Sequence, residues 1–303
     1  MSLERGGRPG TTVARNALAL QRAEDAFIAS VHGADAGAEV LVIDIGANNG
    51  HWSDLLLRRL ARSRSRASRT SLIMVEPQPA HASSLERVAA RWNGTVLPAI
   101  ASDKDSDAVE LFTSRNSQAA STEARMARRY GGLQPQRLKS IDFARYFYQS
   151  DAVRRADLIF LKCDIEAGEY ALLPYLLARG VLCRAHFLHI EWHLNGIAPH
   201  LRLYGLSLRY ALEPMLQHSC GKSIVRRQSI SFEEYAPVNF GMPINGLLEV
   251  ALQRTWWPHH EWIDINTGEL NLTMAEWIQR AAKRGVPHWK SKWDAQKMNL
   301  SHS

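Results

Sequence analysis

The sequence predicts an α/β protein whose parallel strands are covered on both faces, and three apolar runs carry that prediction. Residues 41–50 read Leu-Val-Ile-Asp-Ile-Gly-Ala-Asn-Asn-Gly, a branched apolar stretch that breaks into a glycine turn. Residues 72–75 and 158–163 are further apolar runs, each leading into an acid. Continuous rather than alternating hydrophobicity marks strands with no wet face, as a parallel sheet requires.

The first strand ends at Gly46, and Trp52, Leu56 and Leu60 then recur at helical spacing. Gly46 and Gly50 permit backbone angles and close approach that a side chain would block. The amide groups and positive end of the following helix are expected to face a pocket. A dinucleotide turn needs G-x-G-x-x-G, but counted from Gly46 this chain has Asn48 and His51 at the second and third glycine places. Asp44-x-Gly46-x-Asn48-x-Gly50 instead suits S-adenosylmethionine, whose ammonium can meet a carboxylate and which has no phosphate to cradle. A strand, turn and helix without ligand is the alternative.

The second strand runs into Glu76, placed to accept both hydroxyls of an adenosine ribose, and Pro77 stops it. The Arg- and Ser-rich residues 62–69 before it read as a solvated loop or as a contact for an anionic partner. Residues 95–103 read as the third strand and its exit, which puts Ala101, Ser102 and Asp103 near the adenine. The fourth strand, within residues 158–169, delivers Asp164, Glu166 and Glu169 to the carboxyl edge, where open sheets bind ligands. Residues 186–193 form the fifth and bring Glu191 and His193 to the same edge. The expected cofactor contacts are Asp44, Gly46, Ala47, Asn48, Gly50, Glu76, Ala101, Ser102 and Asp164.

Five motifs in order, Asp44 to Gly50, Val75 to Pro79, Ser140 to Asp142, Leu161 to Glu169 and His189 to His193, resemble the FkbM-like S-adenosylmethionine-dependent methyltransferases. The resemblance covers residues 40 to 195 or so, about half of the chain. It implies a class I methyltransferase, Rossmann-like fold with a mostly parallel seven-stranded sheet and helices on both faces, and transfer to an oxygen of a sugar or natural product. The family's Glu-Gly step after the fourth-strand aspartate is here Glu166-Ala167-Gly168, with the glycine displaced by one place.

Methyl transfer is an in-line displacement, so the protein's main task is to hold the acceptor oxygen opposite the departing sulfur. The proton of an alcohol acceptor must also leave, and Asp164, Glu191 and His193 are the candidate bases. Burial at the sheet edge is expected to raise the proton affinity of the acids. The same three residues offer an oxygen and nitrogen set compatible with a divalent ion, a cofactor the sequence permits without demanding. Asp164 could equally serve only to orient the cofactor.

The chain has 303 residues, 46% of them hydrophobic, enough for a large core, and no run long enough to span a bilayer. A soluble, cytoplasmic protein is the expectation, with the secretory lumen open if a targeting segment has been removed. Cys163, Cys183 and Cys220 show no paired framework or metal spacing, which a reducing compartment or burial would explain. Asn93-Gly94-Thr95, Asn271-Leu272-Thr273 and Asn299-Leu300-Ser301 match the glycosylation triplet, a pattern short enough to arise by chance. The charge of +7 favours acidic partners, so RNA is an alternative to a small-molecule or glycan acceptor, and a non-catalytic cofactor-binding scaffold is a third reading.

Three regions are expected: a helical extension over residues 1–38, the methyltransferase domain over 39–255 and a Trp-rich extension over 256–303. Residues 12–32 read as a helix beside the sheet, and residues 116–149 as an insert that forms a lid or simple surface packing, with Tyr146, Phe147 and Tyr148 as its anchor. Trp256, Trp257, Trp262, Trp277, Trp289 and Trp293 stack on substrate or pin the terminus. A helix over 198–217 and strands near 222–227 and 247–253 follow, the last two closing the sheet as an antiparallel hairpin, with residues 239–243 as a substrate-side loop.

Overall fold

The computed structural model describes residues 9–35, 37–62, 69–113, 120–129, 134–194, 196–198, 201–220, 229–234, 262–263 and 270–272. In chain order the elements are α1 (Pro9–Gly33), β1 (Glu39–Ile45), α2 (His51–Arg62), β2 (Arg69–Val75), α3 (Ala82–Trp92), β3 (Gly94–Leu97), β4 (Ile100–Ser102), β5 (Ser106–Thr113) and α4 (Ala124–Arg129). They continue with β6 (Gln134–Asp142), α5 (Phe143–Gln149), α6 (Asp151–Arg155), β7 (Leu158–Cys163), α7 (Glu169–Ala178), α8 (Val181–Arg184), β8 (Phe187–Trp192), α9 (Arg202–Ser219), β9 (Ser229–Glu234), β10 (Trp262–Ile263) and β11 (Leu270–Leu272).

Six strands form the central sheet in the order β3-β2-β1-β7-β8-β9, and every neighbouring pair is parallel. The continuous apolar runs follow from this layering, because successive side chains point to opposite faces and both faces are buried. Leu41, Ile43, Ile45, Ile73, Val75, Ile159 and Leu161 pack with Phe143 and Phe147 of α5, Leu173 and Leu176 of α7 and Leu212 of α9. Val40, Val42, Leu72, Met74 and Phe160 pack on the other face with Phe27 of α1, Leu56, Leu57 and Leu60 of α2 and Leu85 of α3. Each such buried side chain contributes about 1.5–3 kcal/mol, so the two cores set the strand register.

Helix α1 packs on this second core rather than standing apart from it. Phe27 lies edge-to-face on Phe160 and Phe187, with ring centroids 5.2 Å and 5.3 Å away. Glu24 accepts a hydrogen bond from the Trp52 indole at 2.8 Å and pairs with Arg59, which also meets Asp25.

Several expectations change. Residues 95–103 are not one strand: β3 belongs to the central sheet, while β4 joins β6 and β5 in a separate three-stranded sheet. Pro98, which has no amide hydrogen for a ladder, falls at the break. The helix expected at 198–217 is α9; residues 222–227, expected as a strand, lie outside the described residues, and the described β9 pairs parallel with β8. Residues 247–253 and 239–243, and the Trp-rich tail apart from β10 and β11, lie outside the described residues. Cys183 and Cys220 form a disulfide, which corrects the reading of three unpaired thiols; only Cys163 is free. The pairing joins α8 to the end of α9, a contact that exists only once both helices pack on the same face.

No described helix is long and apolar enough to cross a membrane.

Candidate active site

A cavity of about 900 Å³ opens at the carboxyl ends of β1, β2, β7 and β8, within the size range of small-molecule sites. Its walls include Asp44, Gly46, Ala47, Asn48, Glu76, Ala101, Ser102, Asp164, Glu191 and His193, so the structure brings together all but one of the residues expected there. The exception is Gly50. Its α-carbon faces Val88, Leu85 and Met74, and with φ of +77° it shapes the turn rather than the cavity wall.

Gly46 is required by the protein itself, since a Cβ there would come within 1.7 Å of the Asp164 carbonyl oxygen. The amides ahead of α2 are also less available than expected. Asn48 N–H donates to Glu76 Oε2 at 2.9 Å, Asn49 N–H to Asn48 Oδ1 at 2.8 Å and His51 N–H to Asn49 Oδ1 at 3.0 Å. The other Glu76 oxygen accepts from Gln78 N–H at 2.9 Å, and the Gln78 side chain adds a third hydrogen bond, so the carboxylate is fixed at both ends. Burial, outweighing these hydrogen bonds, raises its pKa.

Asp44 is not a free carboxylate at the base of the turn. It is 1% exposed, accepts from Ser53 Oγ at 2.7 Å and lies 3.7 Å from the Lys162 ammonium. The register of β1 with β7 sets Asp44 opposite Lys162. Lys162 donates to Asp164 Oδ2 at 2.8 Å and lies 5.6 Å from the centre of the Trp52 ring. Burial pushes the lysine pKa down, but Asp164 and Asp44 together push it further up, so Lys162 remains a cation. For Asp44 burial wins and its pKa rises.

Four acids surround His193. Its Nδ1 is 3.0 Å from Glu169 Oε1, and its Nε2 lies 3.3 Å from Glu191, 3.5 Å from Glu166 and 3.9 Å from Asp164. Glu169 is fully buried and is oriented by the Ile165 N–H at 2.8 Å. Burial disfavours the imidazolium, but Glu169, then Glu191 and Glu166, outweigh it and hold the ring protonated well above its usual range. His193 therefore stands as a hydrogen-bond donor to the acids around it. Asp164 also departs from the expected rise: burial raises its pKa, yet Lys162 and His193 overcome this and lower it. Burial and then Asp164 push Glu191 up to about 7, which leaves it as the carboxylate balanced between its two protonation states near neutrality. Burial raises Glu166 to about 8.

Asp164, Glu191 and His193 each place one ligand atom within 4.8 Å of the others, a spacing a divalent ion could share. Glu169 was expected at this edge without a role of its own, and Lys162 was not singled out in the sequence, although a lone lysine inside a buried apolar run needs an acidic partner.

The insert forms one wall of the cavity through Ala120, Thr122, Glu123 and Met126. Ser121 ties it down by donating to the Glu166 carbonyl. The displaced glycine is explained in the same loop. Glu166 and Ala167 both have positive φ, +52° and +81°, so an alanine occupies a backbone position that favours glycine. A Cβ on Gly196 would come within 2.6 Å of the Ala167 methyl, so the missing side chain at 196 makes room for the extra one at 167.

No curated protein and no solved structure matches the chain. The family model described as the methyltransferase FkbM domain matches residues 44–212, more than half of the chain and the stretch that runs from the end of β1 through the acid cluster into α9. The chain belongs to the FkbM methyltransferase family.

Proposed function

We propose that the chain transfers the methyl group of S-adenosylmethionine to a hydroxyl of a neutral sugar, glycan or small natural product. The observation that carries this reading is a single cavity with Glu76 fixed at one end and Glu191, with a pKa raised to about 7, at the other. The bound cofactor supplies an electrophilic methyl on its sulfonium. Glu76 directs its remaining acceptor capacity to the ribose hydroxyls, and Ala101 and Ser102 border the adenine. Asp44, Lys162 and Asp164 supply adjoining charges of both signs for the zwitterionic amino acid end. Glu191 takes the acceptor proton, while His193, steered by Glu169, orients Glu191.

A neutral acceptor is favoured because Asp164, held as a carboxylate, and Glu191, which acts as one, stand at the reacting end, where a phosphate would be repelled. Tyr170, Ile197 and Tyr204 line the same side and offer flat or apolar surface to a sugar ring.

The test combines purified protein, methyl-labelled cofactor and a cell extract, followed by mass-resolved detection of the labelled product. A neutral molecule gaining one methyl supports the reading. Label confined to RNA, or heat of cofactor binding with no transfer, would overturn it in favour of an RNA enzyme or a scaffold. Chelator is expected to leave the rate unchanged, because His193 Nε2, 3.3 Å from Glu191, already makes a polar contact inside the acid cluster. A loss of rate restored by magnesium or manganese would put an ion there instead.

A further inference from the structure

Two features away from the cavity point to the same cellular history. The Cys183–Cys220 disulfide closes 37 residues of sequence, and both cysteines are buried. Cytosolic thiols are kept reduced, so a structural disulfide in an ordinary enzyme marks folding in an oxidising compartment.

The second feature is the triplet Asn93-Gly94-Thr95. Asn93 ends α3 in the left-handed conformation, φ 50° and ψ 48°, with its backbone N–H bonded to the Ala89 carbonyl. The side chains of Asn93 and Thr95 are both exposed. A left-handed helix end accounts for asparagine at 93, but nothing in the fold requires a hydroxyl at 95. Gly94 is the small residue the turn needs, because a Cβ there would meet the Ala89 α-carbon at 3.0 Å. β3 is the edge strand, and the triplet sits at its amino end while the cavity opens at the carboxyl ends, so a large group on Asn93 would stand clear of the site.

We propose that Asn93 carries an N-linked glycan and that the chain matures in a compartment that both oxidises thiols and glycosylates asparagine. The Asn93 amide nitrogen bonds to the anomeric carbon of an oligosaccharide as that carbon's bond to a lipid diphosphate breaks, and the amide gives up one proton. Cys183 and Cys220 pass two electrons and two protons to the disulfide of an oxidoreductase. The inference does not depend on which molecule accepts the methyl group.

The test uses the full-length chain recovered from the cells that make it. N-glycosidase treatment in heavy-oxygen water should leave an isotope-marked aspartate at 93, and alkylation of the denatured, unreduced chain should label Cys163 alone. The variant Thr95→Val, which keeps Asn93 in its turn, should lose the mark with no change in melting. No mark at 93, or a mark only at 271 or 299, overturns the site. Alkylation of all three cysteines without reductant overturns the compartment.

Discussion

At the Glu76 end of the cavity one carboxylate is fixed by two backbone amides, whereas at the Glu191 end four acids surround one imidazolium. The first arrangement is set largely by chain geometry, with two backbone amides and the Gln78 side chain holding the carboxylate. In the second, each group's protonation is decided by the others: Lys162 lowers Asp164, and Asp164 in turn raises Glu191. Backbone-held groups suit recognition, which needs a constant shape. Mutually tuned acids suit proton transfer, which needs a group that changes state near working pH.

Replacing Glu191 with Gln should lower kcat by about 10²–10⁴-fold while calorimetry shows unchanged cofactor affinity. In the parent enzyme kcat/KM should climb with pH through about 7 and level off above it, because Glu191 acts as the carboxylate and is protonated below that value. The variant should lack this limb. A pH profile that survives the substitution would dissolve the contrast between the two ends.

Lys162→Met should destabilise the fold by about 3–5 kcal/mol in denaturant titrations, since it leaves Asp44 and Asp164 without their shared cation. Adding Asp44→Asn should recover part of that loss. At the other end, Glu76→Ala should weaken cofactor binding by about 100-fold, the value of one or two hydrogen bonds to a charged group, with a much smaller effect on saturated turnover. The smallest effect concerns the loop that follows β8. Gly196→Ala should cost about 1–3 kcal/mol through overpacking against Ala167, and Ala167→Gly in the same chain should restore most of the melting temperature.

The difference between the two ends also separates what was legible in the sequence. Strands β1, β2, β7 and β8 and their terminal acids could be read directly, because apolar runs covered on both faces leave a plain signature. The protonation states at the reacting end could not, because they depend on distances between β7, α7 and β8 that exist only after folding. Asp164 was one of three candidate bases, and the Lys162 contact that lowers its pKa exists only once both side chains are in place. The split of the third strand had a visible cause in Pro98, while the link between Cys183 and Cys220 had none, their separation being set by how α9 returns to α8.

The family-matched stretch starts at residue 44, yet Phe27 fills the notch between Phe160 and Phe187 from outside it. A version trimmed to that stretch would expose an aromatic socket to water and would release the Trp52 indole from Glu24. The smallest self-sufficient unit of this protein is therefore longer than its hallmark motifs, and shortened versions should retain the leading helix.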